Sequence, residues 1–143
     1  MKIKLFLIIF LFFNNVNLLF ASDDFFKEGL IKYNEKKYDE SKFLFQRSIV
    51  FNPKESKSYL FLAKIFNHEE NKREAEKNIE TVLLLNPQNE EAIYMLMEIE
   101  LVKSNYSRVR ELNENFEKVC TKLCEKKFFI LDSLKNLEPK NES

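Results

Sequence analysis

The chain has 143 residues, with 23 Lys and Arg balancing 23 Asp and Glu, one His, two Cys, three Pro and a single Gly. That length holds one ordinary domain or a short repeat array and leaves no room for a two-domain enzyme. Zero net charge argues against a dedicated nucleic-acid binder, which shows a basic excess or stripe. A single Gly argues against β-sandwiches, P-loops and dinucleotide folds, whose tight turns and phosphate cradles consume it.

Residues 1–21 read as a leader. Lys2 and Lys4 give a positive start, Leu5 to Phe13 are nine apolar residues in a row, and Ala21 precedes Ser22-Asp23-Asp24. A charged start, a short apolar core and a small residue at the exit describe a secretory signal peptide. The core falls short of the roughly 20 apolar residues that a transmembrane helix needs. Cleavage after Ala21 is the expectation, and it leaves Ser22–Ser143 with 21 cations against 23 anions. That reading places the protein in the periplasm or outside the cell. The other reading keeps residues 5–21 as an uncleaved anchor and places it on a membrane.

The remainder repeats. Pro53 and Pro87 lie 34 residues apart, in the phrases Phe51-Asn52-Pro53 and Leu85-Asn86-Pro87. The same step aligns Gly29 with Ala63 and Met97, Tyr38 with Lys72 and Tyr106, and Ser41 with Ala75 and Val109. Apolar residues recur at helical spacing, as in Phe26, Leu30 and Tyr33 or Tyr59, Leu62 and Phe66. The spacing predicts helices at about 23–36, 39–51, 56–69, 72–84, 90–103, 106–119 and 123–137, with ends uncertain by roughly 2–4 residues. Asn52-Pro53 and Asn86-Pro87 end helices, because the residue before proline is pushed out of the α region. Small residues (Gly29, Ala63, Ser41, Ala75) belong where two helices cross closely, and Phe25, Tyr59, Phe45 and Ile79 fill the space beside them.

A helix–turn–helix unit of this length resembles the tetratricopeptide repeat family. The middle unit matches best, with Tyr59, Leu62, Ala63, Phe66, Ala75, Ile79 and Pro87; in the third, Asn113 replaces a large apolar residue and Thr121 the proline. The resemblance implies an all-α, right-handed α-solenoid. Its repeats fall at about 22–55, 56–89 and 90–122, followed by a capping helix at 123–137 and a disordered tail at 138–143. Lys126, Lys127, Asp132, Lys135 and Asn136 are expected to give the cap a polar outer face. The alternative is one unbroken helix from Tyr106 to Leu137, since neither Gly nor Pro interrupts that span.

Cys120 and Cys124 are four apart, and in an exported protein they are candidates for a disulfide. Two small apolar residues on the inner face of the last helices explain them equally well. A zinc site lacks both a fourth ligand and a recognised spacing, since His68 is the one histidine. No Gly-x-Ser-x-Gly elbow and no set of residues for a catalytic triad occurs. Pairs such as Glu69-Glu70 and Glu90-Glu91 suit turns and helix starts. The sequence therefore predicts no enzyme, no cofactor, no metal and no small-molecule substrate.

In the tetratricopeptide family the first helix of each repeat lines a concave groove. Carried over residue by residue, that lining holds Phe26, Leu30 and Tyr33, then Lys57, Leu60, Lys64, Asn67 and His68, then Tyr94 and Glu98. Lys57 and Lys64 lie one heptad apart on one face, which suits a segment with a carboxylate and apolar anchors; as ordinary solvated charges they need no partner at all. The resemblance implies a non-enzymatic adaptor or scaffold of the cell envelope that binds a protein or peptide partner. The alternative is a structural subunit of an envelope or outer-membrane protein assembly complex.

Overall fold

The computed structural model describes residues 23–137; the leader and tail readings, at 1–21 and 138–143, lie outside the described residues. Seven helices follow in order: α1 over 23–34, α2 Tyr38–Phe51, α3 Ser56–His68, α4 Lys72–Leu85, α5 Glu90–Val102, α6 Tyr106–Val119 and α7 Lys126–Leu137. The described residues contain no strand. Six of the helices start and end within about two residues of where the periodicity puts them.

Helix pairs are closed by one turn used three times. Lys36, Glu70 and Ser104, each 34 residues on, have φ of 60°, 59° and 58°. After each, the next backbone N–H bonds back five residues: Lys37 to Lys32, Asn71 to Phe66 and Asn105 to Glu100. This is the left-handed helix stop that glycine normally serves, made here from residues with a Cβ. Between pairs, Asn52 and Asn86 leave the helix at ψ of 82° and 86°, as a following proline demands. Asn71 and Asn89 then accept from the N–H of Glu74 and Ala92, capping α4 and α5.

Packing follows the same step. Ser41, Ala75 and Val109 are fully buried on the second helices, opposite Gly29, Ala63 and Met97 on the first. A Cβ at Gly29 would sit 2.7 Å from the Phe45 ring, and Ser41 donates to the Gly29 carbonyl at 2.9 Å. The residues in register with Phe45 are Ile79 and Asn113. As the first helix grows from Gly to Ala to Met, the facing position shrinks from Phe to Ile to Asn. The third repeat, weak by pattern, thus keeps its side-chain volume. Its cost is polar: Asn113 is 7% exposed with its Oδ1 unpartnered. Glu100, standing in register with Phe66, is buried but held by Lys103 at 3.0 Å and Asn105 at 2.6 Å.

Neighbouring pairs are tied by a bridge whose charges invert. Lys42 on α2 meets Glu69 after α3 at 2.6 Å. One step on, Glu76 on α4 meets Lys103 after α5. The two ends of the array differ. On α1, Asp24, Lys27 and Glu28 are exposed and take the places of Ser58, Phe61 and Leu62, which α3 packs against α1 and α2.

The C-terminal end corrects three expectations. α7 starts at Lys126, about one turn later than predicted, and the unbroken helix does not form. Residues 120–125 turn instead, because Cys120 and Cys124 are bonded with Cα atoms 5.2 Å apart, a spacing an uninterrupted helix does not favour. The Glu90 carboxylate also accepts the N–H groups of Thr121 at 2.6 Å, Lys122 at 3.0 Å and Leu123 at 3.2 Å, which a helix would direct to its own carbonyls. Nor is the outer face of α7 polar throughout: Phe128, Phe129 and Leu131 are exposed among Lys126, Asp132, Lys135 and Asn136. Leu131 holds the register of buried Ala63 and Met97 and is open because no second helix follows among the described residues. Ile130 and Leu134 secure α7 to the core.

Replacing Gly29 with Ala should destabilise the fold by about 1–2 kcal/mol in urea denaturation, the clash with Phe45 outweighing a helix-propensity gain of about 1 kcal/mol; Phe45→Leu in the same chain should recover part of it. Conversely, Glu70→Gly should stabilise by about 1 kcal/mol by relieving the left-handed backbone. Glu90 is held below its usual 4.5, first by the Thr121 N–H and then by those of Lys122 and Leu123. A lowered folded value stabilises above the unfolded one and is lost as pH falls through it. The melting temperature should therefore fall below about pH 4.5, and Glu90→Gln should lower it at pH 7 while flattening that acid limb.

Candidate functional site

The 34-residue step stacks the first helices side by side and places equivalent residues in rows. One row is Phe26, Leu60 and Tyr94; the next is Leu30, Lys64 and Glu98. Phe26, Leu30 and Tyr33 are half-buried and pack on Phe45, Leu62 and Ile65. Phe61, absent from the sequence-based lining, is the hub of this end. Its ring lies 5.9 Å from Phe26, 5.1 Å from Tyr33 and 5.3 Å from Phe45. Offset and edge-on contacts of this kind hold rings rigidly. Tyr33 also meets Tyr38, and Tyr38 meets the exposed His68 at 4.6 Å. Burial raises the Tyr33 hydroxyl above its usual range, with Tyr38 and Glu91 adding to it.

The two central lysines have different circumstances. Lys64 pairs with Glu91 at 2.8 Å, and its ammonium stands 4.5 Å from the Phe61 ring centroid. It bridges α3 to α5 and stiffens the wall. Lys57 is exposed; its backbone N–H donates to the Glu55 carboxylate at 2.9 Å, while its ammonium forms no ion pair among the described residues and can meet an incoming anion at little desolvation cost. Asn67 is engaged by Lys72 at 2.7 Å. Leu60 is 7% exposed and belongs mainly to the core. Tyr94 is half-buried, 6.3 Å from Phe116, with the Lys126 ammonium 5.5 Å from its ring. Burial first, and its hydrogen bond to Glu98 second, push the Tyr94 hydroxyl up to about 12. The phenol therefore stays protonated through neutral pH.

The predicted residues accordingly fall into two groups. An aromatic end is built by Phe26, Leu30, Tyr33 and His68 around Phe61, and a Tyr94–Glu98 pair lies toward α7. Lys64 joins them, and Lys57 stays available beside them. An open cleft of about 580 Å³ lies where Leu60, Glu91 and Leu123 approach one another, next to the α6–α7 turn. Cys120 and Cys124 take no part in the groove; their bond sets where α7 begins. No group of three or more His, Cys, Asp or Glu is placed to hold a metal ion among the described residues. None of those residues forms a helix long and apolar enough to cross a membrane. Phe61 was legible only as one more apolar residue of α3; its role comes from lying where α1, α2 and α3 meet.

No protein-family model matches the sequence, and no curated protein does. Solved structures match well. The TPR2B domain of yeast Sti1, in a complex with pHsp70, superposes with a TM-score of 0.74 at 10% identity, covering 82% of this chain and 98% of that one. The TPR domain of Arabidopsis OM64 gives 0.70 at 16% identity, covering 84% and 96%. The second TPR domain of human RPAP3, in complex with the HSP70 peptide SGPTIEEVD, gives 0.66 at 15% identity, covering 88% and 99%. Three helix pairs on a 34-residue step, left-handed turns in register and small-on-large crossings agree with that likeness: the chain has the fold of a tetratricopeptide-repeat domain.

Proposed function

We propose that the protein is a non-enzymatic adaptor that holds a peptide segment of a partner protein along the first-helix groove. The observation that carries this reading is the pairing of a half-exposed aromatic wall (Phe26, Tyr33, Phe61) with Lys57, which lies one turn before Phe61 on α3 and whose ammonium forms no ion pair among the described residues. Apolar rings take anchors, and a free ammonium takes a carboxylate, so the segment has large apolar side chains and an acidic residue or chain end. The peptide seen with the RPAP3 domain carries Ile, two Glu and a terminal Asp, which supports this class of ligand. The leader-like residues 1–21 support export, and a Cys120–Cys124 bond fits an oxidising compartment; on that basis we place the adaptor in the periplasm or outside the cell.

Panning a phage-displayed library of random peptides of roughly 12 residues on the purified protein tests the proposal. Enriched sequences should combine aromatic or large aliphatic residues with Asp or Glu. Lys57→Glu should weaken the selected peptides by on the order of ten-fold with an unchanged melting temperature. Absence of enrichment, or peptides indifferent to Lys57→Glu, would overturn the reading.

A further inference from the structure

The residues of α6 and α7 fit one helix as well as two. Val109, Leu112 and Phe116 are buried on α6, and Ile130 and Leu134 are buried on α7. Val119 and Leu123 continue the same steps of three and four between them, with the Lys127 stem in the remaining place. On a single helix of 3.6 residues per turn these positions fall within about 80° of arc, which makes one unbroken apolar stripe. Neither Gly nor Pro occurs from Asn105 to Leu137. The turn at 120–125 is therefore held by contacts that are covalent or distant in sequence. The Cys120–Cys124 bond closes it, and Glu90 takes the N–H groups of Thr121, Lys122 and Leu123. Folding back then lets the Tyr106 hydroxyl donate to the Leu137 carbonyl at 2.9 Å and brings Lys127 to 3.5 Å from Glu117. Among these ties, only the cysteine bond answers to the redox state of the surroundings.

We infer that the Cys120–Cys124 bond is a redox-sensitive clasp: closed, it keeps α7 folded back on the array, and reduced, it lets α6 and α7 join into one helix over 106–137. A dithiol reductant supplies the two electrons. Its thiolate attacks one sulfur of the bond, and the other sulfur leaves as a thiolate that takes up a proton. The reductant's second thiol then displaces the first sulfur from the mixed disulfide. Both cysteines end as thiols and the reductant ends as a disulfide. Residues 120–125 can now bond to carbonyls four residues back in place of the Glu90 carboxylate. Ile130 and Leu134 leave the core, and the apolar stripe projects beyond α6. The cleft at this end loses a wall, because Val119, Thr121, Lys122 and Leu123 line it. Glu90 and the two buried side chains oppose the change, so reduction sets up an equilibrium that Glu90 biases. None of this depends on what the first-helix groove binds.

The test places spin labels, attached through azide-bearing amino acids, at exposed Ser107 and Asn136 of the full-length protein. These positions flank the Tyr106–Leu137 contact and are close while α7 is folded back, but stand about 44 Å apart on one helix. Pulsed dipolar resonance should show only the short distance in the oxidised protein. After dithiothreitol treatment, with both thiols titrated, a population near the long distance should appear, the far-UV helical signal should be kept, and reoxidation should remove that population. Cys120→Ser with Cys124→Ser should reproduce it without reductant, and Glu90→Gln should enlarge it in the reduced protein. Thr121→Gly with Lys122→Gly keeps the N–H groups that Glu90 uses but lowers helix propensity, and should suppress it. A short distance that survives complete reduction would overturn the inference. So would a longer distance accompanied by a fall in helical signal, since α7 would then be melting instead of joining α6.

Discussion

Within each pair, the first helix approaches the second so closely that one side chain must be small. Gly29 under Phe45 is the extreme case, with the Ser41 hydroxyl bonded to the Gly29 carbonyl beside it. Ala63 and Ala75 repeat the crossing without a glycine. Every later feature depends on this spacing. Each pair so formed is then tied to the next by the Lys42–Glu69 and Glu76–Lys103 bridges. The spacing also lets neighbouring first helices touch through side chains, Phe26 and Tyr33 on Phe61 and Lys64 on Glu91. The proposed groove is the outward side of these helices. Its lining is a consequence of register as much as of residue choice.

The trade of volume across the crossing explains how a repeat can lose its pattern and keep its fold. Gly faces Phe, Ala faces Ile and Met faces Asn along the three pairs. A motif search scores the last as a failure twice, once for each residue. Packing judges them together, because a filled crossing is what the helices require. The residual penalty is an unpartnered amide oxygen at Asn113. The inverted bridge makes the same point with charge, since either orientation of Lys and Glu satisfies the contact.

Most of the fold was therefore legible in the sequence. Proline spacing, helical periodicity and small residues at a fixed step located six helices and the hairpin turns. The turns were readable as polar, but not as left-handed stops, because Lys36, Glu70 and Ser104 lack the glycine that advertises one. The α6–α7 junction was ambiguous for a physical reason. No local residue breaks the helix there, and the break is imposed by a disulfide and by Glu90, which is about thirty residues away in sequence. On the first helices the rows were legible and the ion pairs were not. Lys57 and Lys64 look alike in sequence, yet only Lys64 has Glu91 within reach. Lys126 reads as a solvated charge until α7 folds back and sets it over Tyr94.

The central claim is that the outward faces of the first helices α1, α3 and α5 form one recognition surface. Amide chemical-shift mapping of the isotope-labelled protein with a selected acidic peptide tests it directly. The account predicts perturbations along α1, α3 and α5, grouped around Tyr33, Lys57 and Tyr94, with α2 and α4 largely silent. Perturbations confined to the second helices, or to α1 and α3 with α5 unmoved, would contradict it.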